Sequence, residues 1–268
     1  MHRVKRAILL LAGRGRRMGG LTEEQPKCLL KVARQSILER ALLALSQVGI
    51  AEAVLVVGYR AEQIRDSIGD HYGGLDLAYV LNEQYAETNT AYSLWLARQF
   101  LDRECLLLEG DILFEIQVLR RILDNHAGGS AWAAVPVNPS NAEGVLLSQD
   151  ARGCVSRAEL VRNPTDRSPD LTHKCGGIQL LDQRLAQLLA ARLQEVIHAG
   201  QRGIFADLVL GAVLEEAVIP MALCSLAGLR WSEVDDVQDL EFSRQLFRSI
   251  HRAHTFTVPG FLEGEGKT

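Results

Sequence analysis

Short apolar runs separated by amphipathic stretches dominate the first half of the chain. Runs of this length, bounded by glycine or polar residues, predict buried strands, and they lie at residues 7–11, 53–57, 75–81 and 105–109. A capping-box pattern that begins at Ser36 predicts a helix ending near Gly49, and a second helix is predicted over residues 61–68. Strands and helices that alternate with short connections are typical of a parallel, doubly wound sheet.

The second half of the chain predicts further strands and helices and one antiparallel insertion. The turn-like tetrapeptide 150–153 lies between two apolar segments, 144–147 and 154–157, which predicts a hairpin. Further strands are predicted at 131–137 and 175–181, and helices at 115–123, 183–198, 204–214 and 237–250, with Asp182 and Asp236 as the caps of two of them. We therefore expect one α/β domain over residues 1–255, followed by a flexible tail at 256–268. Its sheet is doubly wound, mostly parallel and Rossmann-like, with helices on both faces and a small antiparallel β insertion.

A glycine-rich segment directly after the first predicted strand carries the strongest chemical signal. Its glycines are Gly13, Gly15, Gly19 and Gly20, and its basic residues are Arg14, Arg16, Arg17 and, after Pro26, Lys27. Glycines at the carboxyl end of a strand let backbone N–H groups approach an anion closely. Together with the mobile positive charges, this pattern predicts a polyphosphate site.

Known phosphate-binding patterns fit this segment to different degrees. A P-loop requires Gly-Lys followed by Ser or Thr, which does not occur within residues 7–31. A dinucleotide fingerprint requires a third glycine at position 18, which is Met18. The pattern G-x-G-x-R followed by Pro-Lys about ten residues later does fit, as in sugar-phosphate nucleotidyltransferases. An ordinary tight turn with solvated arginines remains the alternative.

Charge and cysteine content narrow the function classes. The net charge of the 268 residues is −4, but residues 1–40 alone carry +7, which favours one local anionic ligand over a nucleic-acid face. The five cysteines are scattered and form no C-x-x-C pair, so neither a zinc site nor a disulfide framework is indicated. The first apolar run is too short for a signal-peptide core, and no stretch approaches membrane-spanning length. We expect a cytoplasmic protein without nucleic-acid or membrane partners, and the sequence leaves open whether it forms a homodimer.

Acidic residues at two distant points of the chain are candidate metal ligands. Asp111 follows the strand predicted at 105–109 and so lies at the sheet edge where doubly wound folds place their ligands. Glu233 and Asp235 alternate about Val234 and are predicted to share one strand face. Carboxylates beside a phosphate loop are typical Mg²⁺ ligands. The alternative for Asp111 is a helix cap.

The helix predicted to begin near residue 90 has a polar start. Asn89, Thr90 and Ser93 cluster there. Asparagine and threonine are common helix caps, so capping is one interpretation. The other is that these amide and hydroxyl groups contact a base or a substrate headgroup.

Separated motifs of the chain resemble the nucleotidyltransferase family, specifically the bacterial branch of choline-phosphate and aminoethylphosphonate cytidylyltransferases. The motifs are LLAGRGRRM with PK, NEQYAETNTAYSLWLA, LLLEGD and WSEVDDVQDL, and the resemblance covers residues 6–250. It implies a GT-A type sheet. It also implies catalytic roles for Lys27 and Arg17, nucleotide contacts at Leu11, Ala12, Gly13, Gly15, Asn89 and Ser93, acceptor contacts at Lys174, Phe205, Asp207 and Tyr92, and metal ligands at Asp111, Glu233 and Asp235.

The function implied by this resemblance is cytidylyl transfer from CTP to a small phosphate or phosphonate, such as phosphocholine or 2-aminoethylphosphonate. The acceptor's oxygen attacks the α-phosphorus in line and pyrophosphate leaves, with Mg²⁺ as the cofactor and no side-chain nucleophile. Catalysis then consists of positioning and charge neutralisation. Two alternatives stay open, a sugar-1-phosphate nucleotidyltransferase using another NTP and a non-catalytic nucleotide-sensing subunit.

Overall fold

The computed structural model describes residues 4–124, 129–138, 141–217 and 219–248. In these ranges the strands are β1 Arg6–Leu10, β2 Lys31–Val32, β3 Gln35–Ser36, β4 Glu52–Val57, β5 His71–Tyr72, β6 Leu75–Leu81, β7 Cys105–Glu109, β8 Ile112–Phe114, β9 Ser130–Pro136, β10 Gly144–Gln149, β11 Val155–Val161, β12 His173–Leu181, β13 Met221–Ser225 and β14 Trp231–Glu233. The helices are α1 Ile37–Gln47, α2 Ala61–Ile68, α3 Thr90–Leu96, α4 Ile116–Asp124, α5 Gln183–His198, α6 Ala206–Ala217 and α7 Val237–Leu246. Tight 3-10 turns occupy Arg16–Thr22, Lys27–Leu29, Arg98–Phe100 and Pro164–Asp166.

A central sheet organises these elements in the order β11-β10-β12-β7-β1-β4-β6-β5, and β9 and β13 continue it beside β12. Strands β7, β1, β4 and β6 run parallel to one another, and β12 is antiparallel to β7. Strands β10 and β11 form the predicted hairpin. The prediction of a mostly parallel, Rossmann-like sheet with a small antiparallel insertion is confirmed.

Helices cover both faces of the sheet because consecutive residues of its central strands point to opposite sides. In β1, Leu9 packs with residues of α1, α2 and α4. Its neighbour Ile8 packs with residues of α3, α5 and α6 on the other face. Both residues are fully buried. Continuous apolar runs are therefore the sequence pattern of these strands, as expected where a parallel sheet is covered twice.

The element boundaries follow local signals closely. The capping box at Ser36 is formed, and Asp182 and Asp236 cap α5 and α7 as predicted. The short strands β2, β3, β5, β8 and β13 were not predicted. The end of the final helix predicted to reach residue 250, and the predicted flexible tail at 256–268, lie outside the described residues, and the single-domain assignment stays a prediction. Every helix in the described ranges is too short or too polar to cross a bilayer.

A third apolar cluster lies apart from the two faces of the sheet and joins three distant parts of the chain. It contains Met18 from the glycine-rich segment, Leu113 from β8, and Val234, Leu240 and Phe247 from the region of α7. Met18, Val234 and Leu240 are fully buried. Because this cluster packs directly beside the glycine-rich segment and the acidic residues, it fixes their relative positions.

Candidate active site

An open cavity of about 1160 Å³ lies where the glycine-rich segment meets the carboxyl ends of β1 and β7. Doubly wound sheets bind their ligands at this edge. The cavity is lined by most of the predicted site residues, namely Leu11, Gly13, Gly15, Arg17, Lys27, Asn89, Asp111, Lys174, Phe205, Glu233 and Asp235. Residues that are 208 positions apart in the sequence, such as Lys27 and Asp235, are in direct contact there.

The ammonium group of Lys27 lies between two of the predicted metal ligands. Its Nζ is 2.7 Å from Oδ2 of Asp111 and 3.3 Å from Oδ1 of Asp235. Burial by itself lowers the pKa of Lys27, but the two carboxylates outweigh burial and raise it. Lys27 is therefore a permanent positive charge, and both carboxylates lie close enough together to contact one cation.

Two further ion pairs surround this centre. Arg17 lies 2.9 Å from the same oxygen of Asp235 but is itself 72% exposed, so its guanidinium can move toward a ligand. On the other side, Nζ of Lys174 is 2.6 Å from Oε2 of Glu233. Burial opposes the charged form of Lys174, yet Glu233 raises its pKa. The cavity thus holds alternating cations and carboxylates, a pattern that suits an anionic ligand together with a divalent metal.

An unpredicted antiparallel pair, β8 with β14, brings the two acidic regions together. In this pair Ile112 faces Glu233, and the backbone N–H of Val234 donates to the carbonyl oxygen of Asp111 over 2.9 Å. Glu233 ends β14, so the prediction that Glu233 and Asp235 share a strand face is only partly right, although both line the cavity. Asp111 does not cap α4, which begins at Ile116.

The donor set fits a hard divalent cation such as Mg²⁺. Oδ1 of Asp111 is buried and has no hydrogen-bond partner, and an unpaired buried carboxylate oxygen is costly unless a ligand satisfies it. In the described part of the chain, no three His, Cys, Asp or Glu side chains are grouped so as to hold a metal by themselves. The three predicted ligands are therefore not grouped as one metal site: Asp111 and Asp235 share the ammonium group of Lys27, whereas Glu233 pairs with Lys174. Two carboxylates are enough for Mg²⁺, which completes its shell with substrate phosphates and water.

Gly15 lets the loop and Lys27 come together. Its φ of +67° is left-handed, and a Cβ there would lie 3.1 Å from the Cβ of Lys27. A side chain would therefore be strained and would press on the stem of the lysine.

Met18 occupies the position where a dinucleotide fingerprint would require its third glycine, and it is a core residue of the third apolar cluster.

Gly110, which directly precedes Asp111, lets the chain at the end of β7 lie close to the end of β1. A Cβ at this position would lie 2.6 Å from the carbonyl oxygen of Leu10 and 2.6 Å from Cδ2 of Leu11. We expect Gly110→Ala to lower the free energy of unfolding by about 1–3 kcal/mol, because backbone must shift to admit the methyl group. Chemical denaturation measures this, with Gly20→Ala as the matched control, since a Cβ at Gly20 meets nothing within 4 Å. Equal stability of the two variants would contradict the steric argument.

Four predicted site residues do not line the cavity. Ala12 is buried, and its carbonyl oxygen accepts the backbone N–H of Tyr59. The hydroxyl of Ser93 accepts from Nδ2 of Asn82. Tyr92 is buried and packs against Trp95, with ring centroids 5.3 Å apart. Ala12, Ser93 and Tyr92 thus lie behind the residues that line the cavity. The fourth residue, Asp207, also lies there, as part of a buried acid pair.

Asn82 organises the loop that leads to α3. It is almost fully buried, its Nδ2 donates to Thr88 and Ser93, and its Oδ1 accepts from the backbone N–H of Gln84. Its position after a strand was the available sequence signal. Asn89 is a helix cap that accepts from Thr90 N–H over 2.8 Å, and it also lines the cavity. The capping interpretation of Asn89 is confirmed, while its nucleotide contact stays a prediction.

A pair of carboxyl groups forms part of the inner cavity wall. Glu109, at the end of β7, lines the cavity and hydrogen-bonds with Asp207 of α6. Burial, followed by the nearby carboxylate of Asp207, raises the pKa of Glu109 well above its usual value, and burial raises the pKa of Asp207. Sequence reasoning missed Glu109, although a polar residue at the end of an otherwise apolar strand was the signal.

Comparisons with known proteins bear on the family and the fold of the chain. The family model described as "MobA-like NTP transferase domain" matches residues 7–206. CMP-5'-(3-aminopropyl)phosphonate synthase of Streptomyces rubellomurinus is 39% identical over 151 residues, which make up 56% of this chain and 24% of that protein. Choline-phosphate cytidylyltransferase of Streptococcus pneumoniae is 34% identical over 110 residues, or 41% of this chain and 46% of that protein.

The aligned part of the chain thus spans between about a quarter and a half of the length of these curated relatives. Among solved structures, the CTP:phosphocholine cytidylyltransferase from Streptococcus pneumoniae superposes with a TM-score of 0.68 and 21% identity, covering 91% of this chain and 99% of that one. At this level of identity, the likeness shows a shared fold.

Proposed function

Because the chain belongs to the family of MobA-like NTP transferase domains, we propose that it is a metal-dependent nucleotidyltransferase that transfers CMP from CTP to a small phosphate or phosphonate. The observation that carries the proposal is the contact of Lys27 with both Asp111 and Asp235 beside the glycine-rich segment. A phosphoryl-transfer site needs cations for the phosphates and hard oxygen ligands for a metal at one place. The sequence likeness to a phosphonate and a phosphocholine cytidylyltransferase favours CTP and a small acceptor.

The reaction requires no nucleophile from the protein. An anionic oxygen of the acceptor forms the new bond to the α-phosphorus, while the bond from the α-phosphorus to the bridging oxygen breaks and pyrophosphate leaves with the electron pair. A bound Mg²⁺ would supply Lewis-acid charge neutralisation at the phosphoryl oxygens. The protein's own task is to orient the two substrates and to stabilise the developing negative charge.

Each cation of the cavity has a distinct part in this proposal. Lys27 is buried and fixed, so it stabilises charge on the α-phosphoryl group. Arg17 is exposed and can leave Asp235, so it binds the β- and γ-phosphates together with the backbone N–H groups around Gly13 and Gly15. Lys174 lies on the strand β12 beside Glu233, where it can leave the carboxylate for the acceptor's phosphate or phosphonate. Asp111 and Asp235 would hold the metal.

A substrate panel tests the proposed function. ATP, GTP, UTP and CTP are each combined with phosphocholine, 2-aminoethylphosphonate and glucose 1-phosphate in the presence of Mg²⁺. Pyrophosphate release is measured, and the product is identified by mass and by its phosphorus NMR spectrum. We expect turnover with CTP and a phosphocholine or phosphonate acceptor.

The same panel separates the alternatives. Turnover only with glucose 1-phosphate and another NTP would instead indicate a sugar-1-phosphate nucleotidyltransferase. Nucleotide binding without pyrophosphate release in any combination would indicate a nucleotide-sensing subunit. The cavity wall keeps Asp111 and Asp235 beside Lys27, and a subunit that only senses nucleotide would be expected to lose acids that serve the transfer step.

A further inference from the structure

The residues that follow β4 hold the glycine-rich segment at both of its ends. Tyr59 is buried and lies two residues after β4. Its backbone N–H donates to the carbonyl oxygen of Ala12, directly before the first glycine of the segment, over 3.0 Å. Its hydroxyl lies 2.9 Å from the carbonyl oxygen of Thr22 and 2.8 Å from that of Glu23, beyond the last glycine. One residue thus ties together two points that are distant along the segment.

Two further side chains next to Tyr59 bind the same stretch of backbone. Nη2 of Arg60 donates to the carbonyl oxygen of Glu23 over 2.7 Å, and its Nε donates to the hydroxyl of Tyr59 over 3.1 Å. Nε2 of Gln63, in the first turn of α2, donates to the carbonyl oxygen of Glu24 over 3.0 Å. Three consecutive carbonyl oxygens of the segment therefore accept hydrogen bonds from this corner of the fold.

Arg60 makes its contacts from a strained backbone. Its φ of +50° and ψ of +44° are left-handed, a conformation that costs energy in a residue with a side chain and that glycine adopts freely. Among the non-glycine residues that the structure describes, only Ala33 shares a positive φ. Strain of this kind clusters at functional sites. A glycine would relieve the strain but would lose the guanidinium that reaches Glu23.

The part of the segment that these side chains hold is coupled to the part that lines the cavity. The hydroxyl of Thr22, a buried residue, donates to the carbonyl oxygen of Gly15 over 3.0 Å, and Gly15 lines the cavity. The guanidinium of Arg14 lies over the ring of Tyr59, 5.5 Å from its centroid. Neither Tyr59 nor Arg60 is among the described residues that line the cavity, so both act on a ligand only through the segment.

We propose that Tyr59 and Arg60 are positioning residues that hold the glycine-rich segment in the conformation in which it binds the triphosphate of CTP. This inference rests on the proposed function, from which it takes CTP as the nucleotide. A segment with four glycines has many accessible conformations, and a ligand binds more weakly when only a fraction of the protein is in the competent one. The hydrogen bonds from Tyr59 and Arg60 remove this loss before the nucleotide arrives.

Paired nucleotides test the proposal. The dissociation constants of CTP and CMP are measured by calorimetry in the presence of Mg²⁺ and without acceptor. CMP lacks the β- and γ-phosphates, so a loosened segment weakens the binding of CTP and spares that of CMP. We expect Tyr59→Phe, which removes only the hydroxyl, to raise the dissociation constant of CTP by about 3–10-fold and that of CMP by less than about twofold. In turnover, the KM for CTP rises while kcat stays near its wild-type value.

Arg60→Gly separates this role from a purely structural one. Because glycine adopts the left-handed backbone without strain, we expect the melting temperature to change by less than about 4 °C. The dissociation constant of CTP should still rise by about 3–10-fold. Tyr79→Phe is the matched control, since the hydroxyl of Tyr79 also donates to a backbone carbonyl oxygen, that of Gly69 at the end of α2. It should leave both dissociation constants unchanged.

The ratio of the CMP to the CTP dissociation constant decides between the outcomes. A ratio that stays at the wild-type value in Tyr59→Phe or in Arg60→Gly would overturn the positioning role of that residue and leave the proposed function standing. A lower ratio in both variants, in a protein that releases no pyrophosphate from CTP with any acceptor, would overturn the proposed function and leave the positioning role standing. Wild-type protein that binds CTP no more tightly than CMP would contradict both.

Discussion

Asp111→Asn is expected to lower kcat/KM for CTP-dependent pyrophosphate release by about 10³-fold. The substitution keeps the shape of the side chain but removes the charge that would hold a divalent metal. Stability should change little, because two effects oppose each other. Lys27 loses one of its two carboxylate partners, while a buried oxygen without a hydrogen-bond partner loses its charge. Pyrophosphate release measures the change in activity, and thermal unfolding measures the change in stability.

The matched control for this variant is Asp66→Asn, which makes the same change at an exposed position on α2. It is expected to change neither activity nor stability measurably. Near-normal turnover in Asp111→Asn would refute the metal-ligand role. A melting temperature lowered by more than about 4 °C would instead mean that the carboxylate mainly holds the fold together, since about 1 kcal/mol corresponds to 2–4 °C in a chain of this size.

Lys27→Ala is expected to lower kcat/KM by about 10²–10³-fold, since it removes a fixed charge from the place where negative charge develops. It should also lower the free energy of unfolding by about 1–3 kcal/mol, because Asp111 and Asp235 then face each other without the shared ammonium. Loss of one partner from a fully buried pair costs more, but these carboxylates are 24% and 22% exposed and so are partly solvated by the cavity.

Lys31→Ala, at an exposed lysine of β2, is the control and should leave kcat/KM and the free energy of unfolding unchanged. A further readout concerns Mg²⁺ alone. Because Lys27 competes with a metal for the same carboxylates, Mg²⁺ should raise the melting temperature of Lys27→Ala more than that of the wild-type protein. A smaller increase in the variant, or unchanged turnover, would contradict the proposed place of Lys27.

Most of the fold could be predicted from local patterns. The strands that end at Leu10, Val57 and Glu109 are nearly continuous apolar runs, and these runs reflect burial on both faces of the sheet. The strand that ends at Leu81 contains Asp76 and is mostly half-buried. Caps at Ser36, Asp182 and Asp236 set the starts of three helices through hydrogen bonds within one turn. Such signals involve residues that are neighbours in the sequence, so the sequence displays them directly.

The candidate site was predictable only in part. The loop glycines, Lys27 and Asp111 are visible because they follow strands whose carboxyl ends meet at one sheet edge. Ser93 was placed in the nucleotide site by resemblance, but its hydroxyl is engaged with Asn82 in the cavity wall. A polar residue at the start of α3 can either face the ligand or hold the cavity wall in place from behind. The sequence pattern is the same in both cases, because the packing of α3 against other segments decides which way the side chain points.

The sequence by itself determined the alternation of strands and helices, the cationic glycine-rich segment and the edge at which a ligand binds, since each follows from residues close together in the chain. The tertiary structure alone decided that Lys27 lies between Asp111 and Asp235, that Lys174 pairs with Glu233, and that Glu109 meets Asp207. These contacts depend on the three-residue strands β8 and β14 and on the apolar cluster around Met18 and Val234. Strands that short carry almost no periodic signal, and they form because distant segments bury apolar surface together.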